Sequence, residues 1–217
     1  MGGQPRSVSR RAEEGEPPMA TGHRLFATFW SFQTRGEGSA LRRLRQTVVG
    51  GVHGRVLEVG FGVGTNWPHL PAAIDYVGIE PDRYMLARAR ANMRKLGLKL
   101  DLRPADVQEL PFADETFDSA ISTLTFCSVA DPVEGFRELY RVLKPGGELR
   151  FAEHVRSPNR LYARIQTALK PATRRFAGGC EHDRDTIAAM RAAGFERIEF
   201  HSQRLAGLPV VTGVARR

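Results

Sequence analysis

The chain has 217 residues, of which 41% are hydrophobic and 26% charged, and its formal net charge is +8. This composition predicts one folded domain with a substantial core, and no apolar run approaches the ~18 residues that cross a bilayer. The two cysteines, Cys127 and Cys180, allow at most one disulfide, so a reduced, cytoplasmic compartment is expected. The basic residues are mostly dispersed arginines. No nucleic-acid partner is therefore predicted, whereas peripheral contact with an anionic membrane stays open.

The first part of the chain predicts a leader followed by two helices. Residues 1–20 are rich in Gly, Pro, Arg and Glu, lack the apolar segment of a secretory signal, and predict a disordered leader. Residues 21–50 contain two helix-like segments, HRLFATFWSFQ and SALRRLRQTVV, which we expect to form a lid or cap on the domain at 51–217. Aromatic residues that can either line a substrate pocket or pack in the core are Phe26, Phe29, Trp30 and Phe176.

From residue 54 onward, apolar segments of strand length alternate with segments of helix length. The predicted strands are GRVLEVG, IDYVGIE, LKLDLRP, FDSAISTL and ELRFAEHV, and the predicted helices are PDRYMLARARANMRKLG, PVEGFRELYRVLK, residues 159–176 and TIAAMRAAG. Two last strands, FERIEFHS and LPVVTGVARR, have no helix between them. The pattern predicts an α/β fold with a doubly wound, mostly parallel sheet and an antiparallel edge at the C-terminus.

Three glycines, Gly60, Gly62 and Gly64, directly follow the first predicted strand. In an open α/β sheet this position lies in the ligand-binding crevice, where glycine lets a ligand approach the backbone closely. A dinucleotide fingerprint needs a glycine at position 65, which is threonine here. The spacing therefore favours a ligand without a pyrophosphate, whose carboxylate and amine lie along the loop.

Acidic residues follow the next two predicted strands. Glu80 ends the second strand, twenty residues after Gly60, where a carboxylate can accept both hydroxyls of a ribose. Its alternative role is that of a solvated residue opening the next helix. Asp106 follows the third strand, where it can accept a hydrogen bond from an adenine amino group or form an Asx turn.

Four features together resemble the class I S-adenosylmethionine-dependent methyltransferases: E-x-G-x-G-x-G at 58–64, Glu80, Asp106 before LPF, and RVLKPGG at 141–147. The resemblance runs from about Leu25 to the C-terminus. It implies a seven-stranded sheet, a methyltransferase domain at 51–217, and S-adenosylmethionine as cofactor. In that family the glycine loop holds the methionine moiety, the strand-end acid the ribose, and the Asp-Val pair the adenine. The cofactor-binding residues so implied are Glu58, Gly60, Phe61, Gly62, Gly64, Asn66, Glu80, Pro81, Asp106, Val107, Thr123 and Leu124.

Four further strings look like the group that includes the microsomal thiol methyltransferases and their bacterial relatives. They are LEVGFGVGTNWPHLP, LTFCSV, RFAEHV and AGGCEHDRDT. The resemblance implies an enzyme that methylates a small, lipophilic acceptor, with a thiol favoured. The alternatives are an amine, phospholipid or quinone-precursor methyltransferase, then an RNA methyltransferase, or a protein that binds S-adenosylmethionine without catalysis. The oligomeric state stays open.

Several side chains near the predicted site carry reactive groups. His154, at the end of the fifth predicted strand, is the candidate catalytic base, or else it holds a loop carbonyl. Glu153 alternates to the other face and is expected to be structural. Cys127 is expected to be a small buried residue near the cofactor rather than a nucleophile. Cys180 and His182 resemble half of a zinc site, but no second pair stands at zinc spacing, so no metal is predicted.

Overall fold

A seven-stranded sheet organises the described part of the chain, residues 37–176 and 179–217 of a computed structural model. Its elements in chain order are α1 (Ser39–Val49), β1 (Arg55–Val59), a 3-10 helix (Trp67–His69), β2 (Asp75–Ile79), α2 (Arg83–Lys95), β3 (Asp101–Arg103), β4 (Phe117–Thr123), α3 (Pro132–Val142), β5 (Leu143–His154), α4 (Arg160–Phe176), α5 (Thr186–Ala192), β6 (Arg197–Leu205) and β7 (Leu208–Arg216). The strand order is β3-β2-β1-β4-β5-β7-β6, and β7 runs antiparallel to both neighbours. The predicted fold class is confirmed.

Both faces of the sheet are covered, as the continuous apolar strands predict. Along β1, Val56 belongs to the apolar layer that contains Leu44 of α1. The next residue, Leu57, belongs to the opposite layer, together with Phe136 of α3 and Met190 of α5. Because successive side chains of a strand point to opposite faces, one strand anchors both helical layers.

The third strand is shorter than predicted. The apolar segment 98–104 pairs with β2 only over Asp101–Arg103. At its start, the backbone N–H of Leu98 donates to the carbonyl of Met93 at 3.0 Å and so closes the end of α2. At its other end, Pro104 has no N–H to continue the ladder. The end of α2 and the proline therefore limit β3 to three residues.

The boundary between α3 and β5 also differs from the prediction, which continued the helix to Lys144. The helix ends at Val142, and β5 begins at Leu143 rather than at residue 148. Leu143 is already extended, with φ −72° and ψ 141°, and pairs with Phe117. A proline restricts the preceding residue to extended conformations, so Pro145 favours an early strand.

A tight hairpin joins β6 and β7 at the antiparallel edge. Ala206 and Gly207 both have positive φ, 48° and 86°, as two-residue hairpin turns of the primed class require. Strands β6 and β7 pair from Leu205 and Leu208 at the turn to Arg197 and Arg216. The predicted antiparallel C-terminal edge is thereby confirmed.

The direction of strand progression reverses between β1 and β4. From β1 the chain first builds β2 and β3 outward on one side, and then returns to place β4 and β5 on the other. The carboxyl ends of parallel strands at such a reversal form the crevice in which open α/β sheets bind ligands. The loop after β1 and the loop after β4 line this crevice.

Candidate cofactor and active site

The glycine loop after β1 has a backbone that few other residues can adopt. Gly60, Gly62 and Gly64 have φ values of 64°, 59° and 85°, in the left-handed region that penalises a Cβ. A Cβ on Gly60 would lie 2.3 Å from Cγ2 of Thr125, in the loop after β4. A Cβ on Gly64 would lie 2.4 Å from the ring of Trp67. The glycines therefore satisfy both the dihedral angles and the close packing of the loop.

Phe61, predicted to lie at the methionine moiety, has its side chain in the core. It is 3% exposed, and its ring centroid lies 5.9 Å from that of Trp67. The neighbouring Val63 is also buried, and its carbonyl accepts from Nδ2 of Asn92 in α2 at 3.0 Å. These contacts anchor the loop from behind. The contacts that Phe61 and its neighbours can offer a ligand are those of their backbone.

Glu80 connects the end of β2 to the glycine loop. Its Oε2 accepts from the backbone N–H of Gly62 at 2.9 Å, and its Oε1 accepts from that of Asp82 at 3.0 Å. The side chain is only 7% exposed. Burial raises the pKa of its carboxyl to about 7, although both backbone donors act in the opposite direction. The alternative of a solvated residue opening a helix is wrong, because Asp82 caps α2 instead.

Glu58 and Asn66 lie in a buried polar network behind the loop. The carboxylate of Glu58 accepts from Nδ2 of Asn66 at 2.8 Å and from the hydroxyl of Tyr76 at 2.6 Å. Arg45 of α1 donates to Oδ1 of Asn66 at 2.9 Å, and Nε1 of Trp67 donates to the Tyr76 hydroxyl at 2.9 Å. Burial raises the pKa of Glu58. These contacts favour positioning of the loop, and direct contact of Glu58 or Asn66 with the cofactor stays a prediction.

The predicted adenine residues lie in the loop after β3. Oδ1 of Asp106 accepts from the backbone N–H of Gln108 at 2.9 Å, which is an Asx turn, while the residue itself stays exposed. Val107 is 5% exposed and packs in the main core. Asp106 thus makes the local turn and keeps a solvent-facing carboxylate. Its contact with an adenine stays a prediction. Contact of the cofactor with the half-buried Pro81, in the loop after β2, also stays a prediction.

The loop after β4 closes the other side of the crevice. Leu124 has φ 57°, a strained value for a residue with a Cβ that is typical of functional loops. Buried Glu153 holds this loop: its carboxylate accepts from the Ser122 hydroxyl at 2.6 Å and from the backbone N–H groups of Thr125 and Phe126 at 3.0 and 3.1 Å. These contacts agree with the structural role expected for Glu153. Contact of Leu124, or of its neighbour Thr123, with the cofactor stays a prediction.

His154, Cys127 and Cys180 lie together at the end of β5. One ligand atom from each, a ring nitrogen or a sulfur, falls within 4.8 Å of the other two. Both cysteines are buried and unlinked, as expected for Cys127. Sequence spacing missed this cluster, because its members come from three distant segments. The absence of a metal was predicted because the sequence has no second pair of ligands at zinc spacing. The cluster weakens that argument, because the possible partners of Cys180 come from other segments of the chain.

Some predicted features lie outside the described residues. These are the leader, the first predicted helix and its residues Phe26, Phe29 and Trp30, and also the side chain of Phe176. The second predicted helix is α1, which packs on the sheet through Leu44, Val48 and Val49. The lid or cap role of 21–50 stays a prediction. Within the described ranges, no helix is long and apolar enough to cross a membrane.

Comparison with known proteins agrees with this geometry. A family model described as a methyltransferase domain matches residues 57–151. Human thiol S-methyltransferase TMT1B is 30% identical over 187 residues, a match that covers 82% of this chain and 77% of the human protein. The chain belongs to the class I S-adenosylmethionine-dependent methyltransferases.

Two other similar proteins show how far the resemblance extends in sequence and in fold. Phosphatidylethanolamine N-methyltransferase of Cereibacter sphaeroides is 36% identical over 118 residues, a match that spans 54% of this chain and only 58% of that protein. A solved S-adenosylmethionine-dependent methyltransferase of Thermotoga maritima superposes with a TM-score of 0.64 at 24% identity, covering 89% of this chain and 97% of the other. The likeness to the solved structure concerns the fold alone.

The residues present fit S-adenosylmethionine, the cofactor of this family. The glycine loop has three left-handed residues in the crevice after β1, and glycine presents no Cβ to a ligand that approaches its backbone. Glu80 lies beside it with a carboxylate that can accept two hydroxyl donors. No phosphate-binding feature is needed for this ligand, which agrees with the missing glycine at position 65.

Proposed function

We propose that this methyltransferase transfers the methyl group of S-adenosylmethionine to a small, lipophilic acceptor, with a thiol favoured. The observation that carries the proposal is the Glu80–Gly62 contact at the reversal point of the sheet, where a ribose and an amino-acid moiety can be held side by side. The extended match to a thiol S-methyltransferase supports the acceptor class. The cytoplasmic location, and the absence of a nucleic-acid partner, stay predictions.

The residues of this chain would act mainly by positioning. When bound, S-adenosylmethionine supplies an electrophilic methyl group on a positively charged sulfur. The backbone of Gly60–Gly64 would hold the amino-acid moiety, and the Glu80 carboxylate would fix the ribose. In-line displacement needs the acceptor aligned with the methyl group and water excluded. For a thiolate acceptor the opposite charges cancel as the bond forms, which favours a dry pocket.

A panel of acceptors tests this proposal. Purified protein is incubated with S-adenosylmethionine and matched thiols, amines and phenols of increasing apolar size, and release of S-adenosylhomocysteine is measured. We expect turnover with apolar thiols to exceed that with amines and phenols. Turnover confined to amines or phenols would overturn the thiol assignment. Cofactor binding without turnover on any acceptor class would instead support a non-catalytic binding protein.

A second candidate is methylation of an amine-bearing lipid at a membrane surface, and an exposed apolar stripe favours it. Leu161, Ile165 and Leu169 of α4 are 70%, 46% and 55% exposed, and their spacing places them on one side of the helix. Exposed Arg160 and Arg164 flank the stripe. An apolar face bordered by basic residues is typical of helices that lie at anionic membrane surfaces.

Vesicle sedimentation separates this candidate from the first. The protein is spun with vesicles of neutral phospholipid alone or with an added anionic phospholipid. Lipid methylation at a membrane predicts binding to the anionic vesicles that is reduced severalfold in Leu161→Gln/Leu169→Gln. A matched control, Phe200→Gln, changes an apolar residue that is also 44% exposed but lies on the edge strand β6. No binding to either vesicle removes the membrane candidate.

A further inference from the structure

Three reactive side chains converge where three separate segments meet. Cys127 lies in the loop after β4, His154 ends β5, and Cys180 precedes α5. The two sulfurs and a ring nitrogen lie within 4.8 Å of one another. We propose that Cys127, His154 and Cys180 form a binding site for one thiophilic divalent metal ion, for which zinc is the natural probe.

The distances need only a small closure. With zinc–sulfur bonds of about 2.3 Å and zinc–nitrogen bonds of about 2.0 Å in a tetrahedron, ligand atoms are about 3.5 to 3.8 Å apart. The widest separation in the cluster is no more than 4.8 Å. Side-chain rotations that move each atom by less than about 1 Å therefore complete the geometry.

Both cysteines are buried, and one nitrogen of His154 has no hydrogen-bond partner among the described residues. Cys127 is 3% and Cys180 8% exposed. Nδ1 of His154 is inaccessible to solvent and has no hydrogen-bond partner among the described residues. A buried polar atom without a partner is costly, so its presence calls for a specific explanation. A metal ion at the cluster would bind one ring nitrogen of this imidazole.

Hydrogen bonds to backbone groups hold the three segments in place independently of the sulfurs. The N–H of Glu181 donates to the carbonyl of Cys127 at 2.7 Å, and Nη1 of Arg184 donates to the carbonyl of Phe126 at 3.0 Å. Gln166 of α4 donates from Nε2 to the carbonyl of His182 at 2.8 Å. The carboxylate of Glu153 fixes the preceding part of the Cys127 loop. Ligand-bearing segments held by surrounding hydrogen bonds are typical of metal sites.

The donor set identifies the class of ion. Two sulfurs and an imidazole suit borderline-soft ions such as zinc and exclude magnesium and calcium, which prefer oxygen. Two thiolates would balance the charge of a divalent ion in this buried place. Three protein ligands are the number found in zinc sites that keep a fourth position for water or a substrate. In this assignment His154 acts as a ligand rather than as the general base predicted from the sequence.

Metal titration of the full chain tests the proposal without using enzyme activity. The protein is stripped with a chelator in reducing buffer and titrated with zinc against a chromophoric competitor, and in parallel with cobalt. We expect one equivalent of zinc per chain and a thiolate-to-cobalt charge-transfer band in the near ultraviolet. Cys127→Ser, Cys180→Ser and His154→Gln should each weaken zinc affinity by about 100-fold or more, since even outer-shell changes cost 10- to 100-fold.

A matched control and a second measurement keep the test decisive. His201→Gln removes an exposed histidine on β6 and should leave zinc affinity unchanged. In the wild-type chain, zinc should protect both cysteines from alkylation, a result that needs no variant to fold. Absence of stoichiometric binding, unprotected cysteines, or equal affinity in the cysteine variants would overturn the site. Because metal content is read directly, failure here is distinct from failure of the proposed methyl transfer.

Discussion

The backbone N–H of Gly62 donates to Oε2 of Glu80 at 2.9 Å, joining the glycine loop after β1 to the end of β2. The second carboxylate oxygen is held by the N–H of Asp82, the residue that caps α2. The orientation of this carboxylate is therefore set by two backbone groups. A ligand that uses Glu80 meets an acceptor that is already positioned, which reduces the entropy lost on binding.

Replacing Glu80 by alanine should weaken binding of S-adenosylhomocysteine by about 10- to 100-fold, the range expected for lost hydrogen bonds to a charged group. Calorimetric titration measures this change. Glu199→Ala is the matched control: it removes an exposed glutamate of β6 that pairs with Arg216 of β7, and affinity should stay the same. Equal affinities of Glu80→Ala and the wild type would contradict the ribose assignment.

Cofactor affinity should depend on pH through Glu80. Its pKa is raised to about 7 by burial, so the free protein carries a neutral carboxyl below that pH and a carboxylate above it. Ribose hydroxyls donate best to the ionised form, and affinity should therefore rise by about tenfold from pH 6 to pH 8. 5′-Methylthioadenosine is the ligand to use, because it has no amino-acid moiety that titrates.

The control for this pH dependence is Glu80→Gln, which has no titrating group at the site. Its affinity for 5′-methylthioadenosine should be lower than that of the wild type at pH 8 and nearly constant with pH. A wild-type affinity that stayed flat, or fell as pH rose through 7, would show that the ionised carboxylate does not bind the ribose.

Gly60→Ala should disrupt both the loop and cofactor binding. The new Cβ would lie 2.3 Å from Cγ2 of Thr125 at a φ of 64°, and the left-handed backbone alone costs about 1–2 kcal/mol. Gly97→Ala is the matched control, because Gly97 has a similar φ of 66° but nothing within 4 Å of an added Cβ. It therefore tests the backbone strain without the steric clash. Urea unfolding should show destabilisation in both variants, with a loss of cofactor affinity only in Gly60→Ala. A normal affinity in Gly60→Ala would argue against cofactor binding at the glycine loop.

Tyr76→Phe should destabilise the protein by about 1–3 kcal/mol, because it leaves the buried Glu58 carboxylate without the 2.6 Å hydrogen bond from the tyrosine hydroxyl. Tyr84→Phe removes a hydroxyl that accepts from Arg83 in an exposed position, so its effect should be below about 0.5 kcal/mol. Equilibrium unfolding in urea compares the two. Similar stabilities would mean that the Glu58 network contributes little to the fold.

Local sequence patterns were sufficient to predict the sheet and the place of the cofactor loop. Alternating strand and helix segments predict the parallel sheet. The continuous apolar sequence of strands such as β1 indicates that both faces of that sheet are covered. Glu80 was found because strand ends converge at one edge of such a sheet. The early start of β5 at Leu143 escaped prediction, since the helical pattern of α3 runs on without a break in its apolar residues.

Features made by contacts across the sheet were beyond the reach of the sequence. Asn66 and Tyr76 meet Glu58 only because β1 and β2 pair in register and the 3-10 helix follows the loop. Cys127 and Cys180 are brought to His154, at the end of β5, by two different loops. Such clusters depend on tertiary placement, and no spacing rule within one segment signals them.

Calorimetric titration of the purified, folded chain with S-adenosylmethionine tests the central claim most directly. The account predicts saturable binding at one site per chain, competition by S-adenosylhomocysteine, and a marked loss of affinity in Glu80→Ala. Absence of saturable binding for both ligands, from protein shown to be folded by circular dichroism, would contradict it.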